Sequence, residues 1–372
     1  MILSKILWFI ALIGPLIFVH ELGHYLVGRW CGIKADVFSI GFGREIAGWT
    51  DKRGTRWKLG WLPLGGYVRF AGDMSAVGGD NAEWLALPEE ERNKTFQSKA
   101  LWQKALTVAA GPVTNFLAAF LIFAAVFAFY GMAQVPATIA AVQPGSAAAQ
   151  IGFKADDRVQ AINGRAVDSF SDIGEYVAMR PGQVMVFDII RDGTSLTLTG
   201  APRAETVETR FETTVKIGRL GIASPKAELV YPSWHEVPGL AFGKVVDVIR
   251  SIIDGLGQII MGYHSATELG GAFMMAELAN AISDLGWLEF ALFAAAVSVN
   301  LGFINLLPVP VLDGGHLLFY GIEAIRRKPV SLEAQEWAFR TGFVLLMSLM
   351  LFVTVNDVLR FGYLGRFADL IG

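Results

Sequence analysis

Charge disappears from this chain four times. Ile6 to Val19 carries none over 14 residues, Ala105 to Met132 none over 28, Phe290 to Leu312 none over 23 and Thr341 to Asn356 none over 16. A helix crosses a hydrocarbon core in about 20 residues, so the second and third runs suffice alone, and Tyr25-Leu26-Val27 carry the first onward to Arg29. The fourth, about 24 Å as a helix, requires Arg340 and Asp357 to snorkel or the bilayer to thin. The pattern predicts four transmembrane helices with both termini on one side. Lys5 ahead of an apolar stretch also fits a cleaved leader, but no small-x-small site follows and the apolar character resumes, which predicts a retained span.

Between the runs the periodicity changes. Arg56 to Phe70 places aromatic and β-branched residues around Gly65-Gly66, which predicts a β-hairpin, against the alternative of an ordinary cytoplasmic one. Asp73 to Lys99, with Glu89-Glu90-Glu91, predicts a solvated loop. From Ala137 the order is strand, Pro144-Gly145 turn, short alanine helix, Gly152 stop and a strand ending at Asn163-Gly164. A second hairpin follows over Val184 to Arg191, Asp192-Gly193 and Ser195 to Thr199. Val245, Val248, Ile249, Ile252, Ile253, Leu256, Ile259 and Ile260 recur at helical spacing opposite Lys244, Asp247, Arg250 and Asp254. That helix is amphipathic and cannot span; it lies along the outer leaflet or on the core, or packs only against the module before it. The expected division is 1–132 and 285–372 as membrane core, 133–226 as an inserted module and 227–284 as a linking helical region.

Composition agrees with a membrane protein: 53% of residues are hydrophobic and 17% charged, against about a quarter charged in soluble domains, and the mean hydropathy is +0.46. A net charge of −3 leaves no footprint for nucleic acid. Cys31 is the one cysteine, so the module has no disulfide. Arg29, Lys34, Arg44, Lys52, Arg53, Arg56 and Lys58 after the first span, and Arg326-Arg327-Lys328 with Arg340 after the third, mark those connections as cytoplasmic. The termini and the module then face the opposite side.

The chemistry begins at His20-Glu21-Leu22-Gly23-His24. Histidines four apart share a helix face and can hold one Zn²⁺, with Glu21 beside them to activate water. Such a match on a surface helix can be accidental, but ionisable groups in an apolar span need a partner, and a metal supplies one. The third run supplies a carboxylate: Pro308 and Pro310 break the helix, and Asp313 follows before Gly314-Gly315-His316. Two histidines and one carboxylate leave a zinc position open for water, the pattern of a catalytic site. The alternative is that Asp313 only caps the next helix. Cys31 lies seven residues beyond His24, about 10.5 Å along a helix, too far for a ~2.3 Å Zn–S bond. His316 suits a supporting role, and His235 and His264 read as surface histidines.

His20-Glu-Leu-Gly-His24, Gly111-Pro-Val-Thr-Asn115, Asn305-x-x-Pro308-x-Pro310-x-Leu312-Asp313-Gly314, Phe38-Ser-Ile-Gly-Phe-Gly43 and Leu62-Pro-Leu-Gly65-Gly66-Tyr-Val68 together resemble the site-2 protease family of intramembrane zinc metalloproteases. Nearly the whole chain takes part, and within the family it resembles the bacterial regulator of sigma-E protease branch. The resemblance implies a polytopic α-helical membrane protein with four transmembrane helices, a membrane-associated β-hairpin and an inserted exported PDZ domain of mixed α/β structure. It assigns His20, His24 and Asp313 to Zn²⁺, Glu21 to acid/base catalysis, and Asn305 with Gly65, Gly66, Pro308 and Pro310 to the substrate. Val215 to Ile222 resembles the carboxylate loop and edge strand of a circularly permuted PDZ domain, against the alternative of a β module with no ligand. One such domain is visible where relatives can carry two.

The expected function is cleavage of a single-span membrane protein in or near its transmembrane segment, by resemblance an already trimmed anti-sigma factor or a remnant signal peptide. The resemblance places the protein in a bacterial inner membrane, module and termini periplasmic, active site towards the cytoplasm. Two other classes are a PDZ scaffold with a vestigial metal site, which has no need of an intact His20, Glu21, His24 and Asp313, and an ion transporter, for which no repeated span pair is visible.

Overall fold

The computed structural model describes residues 2–72, 87–208, 214–226, 228–262, 265 and 269–361. In chain order the elements are α1 (Ile2–Trp30), β1 (Ala35–Thr50), β2 (Arg56–Phe70), a single helical turn at Glu89–Arg92 within the expected loop, α2 (Leu101–Tyr130), β3 (Met132–Gln134), β4 (Ala141–Val142), α3 (Ala147–Ile151), β5 (Arg158–Ile162) and β6 (Arg165–Ala166). Then come α4 (Phe170–Ala178), β7 (Met185–Arg191), β8 (Thr194–Gly200), β9 (Arg203–Glu208), β10 (Thr214–Arg219), β11 (Ile222–Ala223) and β12 (Glu228–Val230). The chain closes on α5 (Val237–Ile260), α6 (Ala272–Ser283), α7 (Trp287–Leu306), α8 (Asp313–Arg326) and α9 (Leu332–Arg360). His264 and most of the loop expected after Asp73 fall outside the described residues.

Among the described residues, four helices are long and apolar enough to cross a membrane: Leu3–Trp30, Leu101–Tyr130, Trp287–Leu306 and Leu332–Arg360. Two differ from expectation. The third stops at Leu306 instead of Leu312, because the chain turns extended at Leu307 ahead of Pro308 and Pro310, although the apolar run continues. The fourth is 29 residues long, since helix formation does not end where charge begins. Arg340 sits inside it, 3.6 Å from Glu336 one turn earlier.

The contacts divide the chain into two units. The first comprises Met1–Ala124, Ala241–Ile249 and Gly271–Val355. Its α1 is held on two sides. Leu12 and Leu16 pack with Ala279 of α6 and Val297 of α7, and at the same end Lys5 pairs with the buried Glu277 while Ser4 Oγ donates to Asn280 Oδ1 at 2.6 Å. Nearer its C-terminus, Tyr25 joins Cys31, Ile33, Ala35, Phe38 and Phe70 in a buried cluster against the sheet. Cys31 is a packed free thiol, as expected.

The sheet corrects the expected hairpin. The two halves of β2 do not pair with each other about Gly65-Gly66; they flank the first half of β1. Phe38 pairs with both Val68 and Trp57, Ser39 with Tyr67 and Lys58, and Ile40 with Gly66 and Leu59, while Trp49 pairs with Trp57 beyond the bend in β1. In space the order is 66–70, 35–40, 56–60, 47–50. Reversal occurs at 51–55, where Asp51 Oδ1 accepts from the backbone N–H groups of Arg53 and Thr55 at 2.8 and 3.0 Å. Asp51 Oδ2 accepts from Trp57 Nε1 at 3.0 Å and from the Tyr25 hydroxyl at 3.3 Å, tying the turn to α1. Gly66–Phe70 is thereby left as an edge segment.

The second unit comprises Ala125–Leu240, Arg250–Gly270 and Asn356–Gly372. It holds a four-stranded sheet in the order β6-β5-β7-β8, the pairs β9/β10, β4/β11 and β3/β12, and the short helices α3 and α4. The expected β7/β8 hairpin is present, with Asp192 and Gly193 both at positive φ, as a two-residue reversal requires. Ser146 caps α3, Gly152 ends it in the left-handed region, and Ser169 and Asp172 form a capping box on α4. Ile139, Ile162, Ile173, Met185, Phe187 and Ile189 lie at the centre of the core. Arg191 closes it from below: its Nε and Nη2 each donate to Asp157 at 2.7 Å. Burial alone would raise the Asp157 carboxyl, yet the Arg191 guanidinium and the Lys154 amide hold it below the usual carboxylate range. The amphipathic helix α5 docks its C-terminal half here, Asp254 meeting Arg165 Nη1 at 2.6 Å and Arg180 Nη2 at 3.4 Å, and Gln258 accepting from Gln183 at 2.8 Å.

Candidate metal centre

His20 and His24 lie in the C-terminal half of α1, and each is contacted by α2. His24 Nδ1 is 2.9 Å from the Thr107 carbonyl oxygen, which can only accept, so Nδ1 carries a proton and in the neutral ring Nε2 keeps the lone pair. His20 Nδ1 lies 3.2 Å from the Asn115 side chain. Between these two partners Gly111 faces both rings. A Cβ there would stand 2.2 Å from His24 Nε2 and 2.8 Å from His20 Cε1. Thr107, Gly111 and Asn115 are spaced by four and form one stripe of α2. Gly23 makes the approach possible from the other side, since a Cβ at 23 would lie 2.3 Å from Thr114 Oγ1 and 2.5 Å from the Ala110 oxygen.

Asp313 arrives from α8. After Leu306 the chain bends at Leu307 and Pro308 and then turns over 309–312, where the Leu312 N–H donates to the Val309 carbonyl oxygen at 3.1 Å; within that turn Val311 takes φ +93, a left-handed conformation that costs a β-branched residue about 1–3 kcal/mol. The helix N-cap is Leu312, with no side-chain capping bond, so Asp313 is the first helical residue and its carboxylate is directed elsewhere than the cap. Gly314 and Gly315 are packed on the loop: a Cβ at 314 would fall 2.3 Å from the Leu306 and Leu307 oxygens, and one at 315 would fall 2.4 Å from the Val309 oxygen. The Asp-Gly-Gly sequence is therefore a steric requirement for bringing the carboxylate under α1.

The candidate donor atoms converge. His20 Nε2 and His24 Nε2 are 3.2 Å apart, and Asp313 Oδ2 is 3.2 and 3.5 Å from them. Among the described residues these are the His, Cys, Asp and Glu side chains close enough to hold a metal ion, all within 4.8 Å of one another. A tetrahedron with arms of about 2.0–2.1 Å, as zinc makes to imidazole and carboxylate, has edges of about 3.3 Å. All three separations match that edge, so the donor set fits Zn²⁺ with one corner left over.

Glu21 is buried beside this triangle, one step round α1 towards the sheet. Its carboxylate accepts from the Val68 backbone N–H, and a Cβ on Gly66 would stand 3.0 Å from its Cγ and 2.9 Å from Ile17 Cγ2. Gly65, at φ +79, lies against the Phe42 ring. Asn305 and Pro310 are half-buried and Pro308 is exposed, at the end of α7 and in the loop leading to Asp313. His316 packs on Phe339 with ring centroids 5.0 Å apart and is not among the converging atoms. His235 is exposed, as expected. The contacts that Thr107, Gly111 and Asn115 make with the two imidazoles are not given by ligand spacing. The signal for two of them was the Gly111-Pro-Val-Thr-Asn115 motif, whose ends share a helix face; a backbone carbonyl such as that of Thr107 leaves no trace in a sequence.

Residues 8–349 match the model of Peptidase family M50. A provisionally named zinc metalloprotease of Agrobacterium fabrum is 44% identical over 356 residues, covering 94% of each chain, and another of Rhizobium meliloti is 40% identical over 356 residues, covering 94% of this chain and 95% of its own. The metalloprotease MmpA of Caulobacter vibrioides is 37% identical over 368 residues, covering 92% of each. Among solved structures, the PDZ domain of the SdrC-like protein of Listeria monocytogenes covers 25% of this chain and 88% of its own at 17% identity and a TM-score of 0.19, too slight a likeness to define the module. The match over nearly the whole length, on a chain whose HExxH histidines and Asp313 converge at zinc-like separations, shows that this protein belongs to peptidase family M50.

Proposed function

We propose that this protein is a zinc metalloprotease that hydrolyses a peptide bond in or near the transmembrane segment of a single-span membrane protein. The observation that carries the reading is the triangle of His20 Nε2, His24 Nε2 and Asp313 Oδ2, whose two histidines stand on the apolar helix α1 with Glu21 beside them. Zinc held by these three residues supplies Lewis acidity towards a water and the scissile carbonyl. Glu21 takes the proton of the attacking water and returns it to the leaving amine, with the Val68 amide fixing its carboxylate. Gly66–Phe70, an edge segment, adds the unwound substrate as a further strand and so lays its backbone past Glu21; a helical substrate shields its carbonyls until then. Gly65 and Gly66 keep that edge open, and Asn305, Pro308 and Pro310 line the substrate path.

The module over 133–226 reads as an exported PDZ domain that admits peptides or screens substrates, with α5 docked on it. By the excess of lysine and arginine around the β element and after α8, these face the cytoplasm and the module faces the opposite side; the family resemblance adds that the membrane is a bacterial inner membrane and the module's side the periplasm. The substrate class is a protein already trimmed outside the membrane, of the anti-sigma-factor or remnant-signal-peptide type. Incubating the purified protein with candidate single-span substrates, with and without a zinc chelator, tests the reading: cleavage that the chelator abolishes supports it, and cleavage indifferent to the chelator counts against it.

A further inference from the structure

Asn115 is fully buried on α2. Its backbone carbonyl accepts from Ser298 Oγ of α7 at 2.8 Å, and Gly302 packs so tightly that a Cβ there would stand 3.3 Å from Asn115 Cβ. The residue is therefore clamped between α1 and α7, and its side chain reaches one polar neighbour, His20 Nδ1, at 3.2 Å. With Nδ2 nearest the ring, Oδ1 is buried without a hydrogen-bond partner. That arrangement conflicts with the metal site. An amide nitrogen donates, so Nδ1 would have to hold a lone pair, and a neutral imidazole would then keep its proton on Nε2, the atom that faces His24 Nε2 and Asp313 Oδ2.

Turning the amide by 180° removes the conflict. Oxygen and nitrogen of an amide are nearly alike in size and are told apart by their hydrogen bonds. The turned oxygen accepts from Nδ1–H, Nε2 is left with its lone pair directed at the ligand triangle, and the amide nitrogen replaces an oxygen that no donor reaches. We infer that Asn115 is a positioning residue that accepts the His20 Nδ1 proton and so fixes the ring as a metal ligand, as the Thr107 carbonyl does for His24. This rests on reading His20 as a ligand. Partners of this kind orient the ring and raise its basicity, and their loss typically lowers metal affinity about 10- to 100-fold.

The test is zinc affinity of the full-length protein, measured by competition with a chelator, for the wild type, His20→Ala, Asn115→Ala, Asn115→Leu and Asn115→Asp. Asn115→Leu keeps the shape of the side chain and removes the hydrogen bond; Asn115→Asp keeps the shape and can only accept. Affinity about 10- to 100-fold lower in Ala and Leu, with Asp near wild type, is the expected result. Leu near wild type would show that shape alone matters, and Asp as weak as Leu would show that Asn115 donates; either overturns the inference. An unchanged affinity in His20→Ala would instead overturn the ligand assignment beneath it. A measurement on the unaltered protein covers variants that fail to fold. In the cobalt-loaded wild type two metal-shifted ring N–H protons, one per histidine, should both exchange slowly with water, and a single slow proton contradicts the inference.

Discussion

A Cβ on Gly111 would lie 2.2 Å from His24 Nε2, the atom that turns towards Asp313. No heavy atom fits in that gap, so α2 can meet the two imidazoles only with glycine at 111. Gly111→Ala should displace the His24 ring and abolish stoichiometric zinc while the four spans remain folded. Metal analysis of the purified variant, alongside its helix content, checks this; an alanine variant with full zinc would mean that α1 and α2 can separate without cost.

Glu21→Gln separates chemistry from metal binding. The glutamine removes the base and keeps every ligand atom, so zinc content should persist while cleavage falls by at least about 100-fold, the usual loss for a general base. His20→Ala, His24→Ala and Asp313→Ala should lose metal as well as activity. Full zinc in Asp313→Ala would take that carboxylate out of the ligand set.

The Gly66–Phe70 edge makes a prediction about substrates. Proline at 68 removes the amide that holds Glu21 and also blocks strand addition, whereas proline at 69 or 70 tests pairing along the same edge. Activity should drop at all three with zinc retained. The drop should be smaller for substrates with Gly or Pro near the cleavage site, whose helices are weaker by about 1 and 3 kcal/mol relative to Ala. Equal cleavage of stable and weakened helices throughout the scan would reduce the sheet to a structural element.

Asp157 and Arg191 set the acid stability of the module. Because the folded Asp157 carboxyl titrates below its unfolded value, its contribution is complete above the ordinary carboxylate range and is lost as pH falls through the folded value. Asp157→Asn should therefore loosen β5 and β7, by about 3 kcal/mol if Arg191 finds no other partner, and flatten the acid dependence. Hydrogen exchange of those strands in the full chain, at neutral and acid pH, reads both effects; an Asn variant as protected as wild type at neutral pH would show the pair to be dispensable.

Selection and catalysis should be separable. Deleting Pro136 to Pro225 should leave zinc bound and permit cleavage of substrates that still carry bulky outer domains. Asp254→Ala, which frees α5 from Arg165 and Arg180, should weaken the screen in the same direction. A folded, zinc-bound deletion that is inactive even on a short trimmed substrate would contradict this division.

Spacing and hydropathy made the centre of the site legible. His20, Glu21 and His24 follow from a helical repeat inside an apolar run, and Asp313 from its place between helix-breaking prolines and two glycines. What escaped was decided by contacts between distant segments. Leu307 to Leu312 is as apolar as a span but carries two prolines, so hydropathy alone overran the end of α7. Gly65-Gly66 has the chemistry of a turn, yet Gly66 is needed there because Ile17, Glu21 and Ser39 leave no room for a side chain. Strand order then followed from pairing with β1, which local signals do not encode.

The most direct test of the central claim is cleavage of one single-span substrate, reconstituted in lipid, by wild-type protein and Glu21→Gln, each with its zinc content measured and each repeated after chelation and zinc return. The wild type should cut within or next to the spanning segment, lose that activity on chelation and regain it with zinc, while Glu21→Gln should be zinc-loaded but inactive. Cutting by zinc-loaded Glu21→Gln at the wild-type rate would contradict that claim.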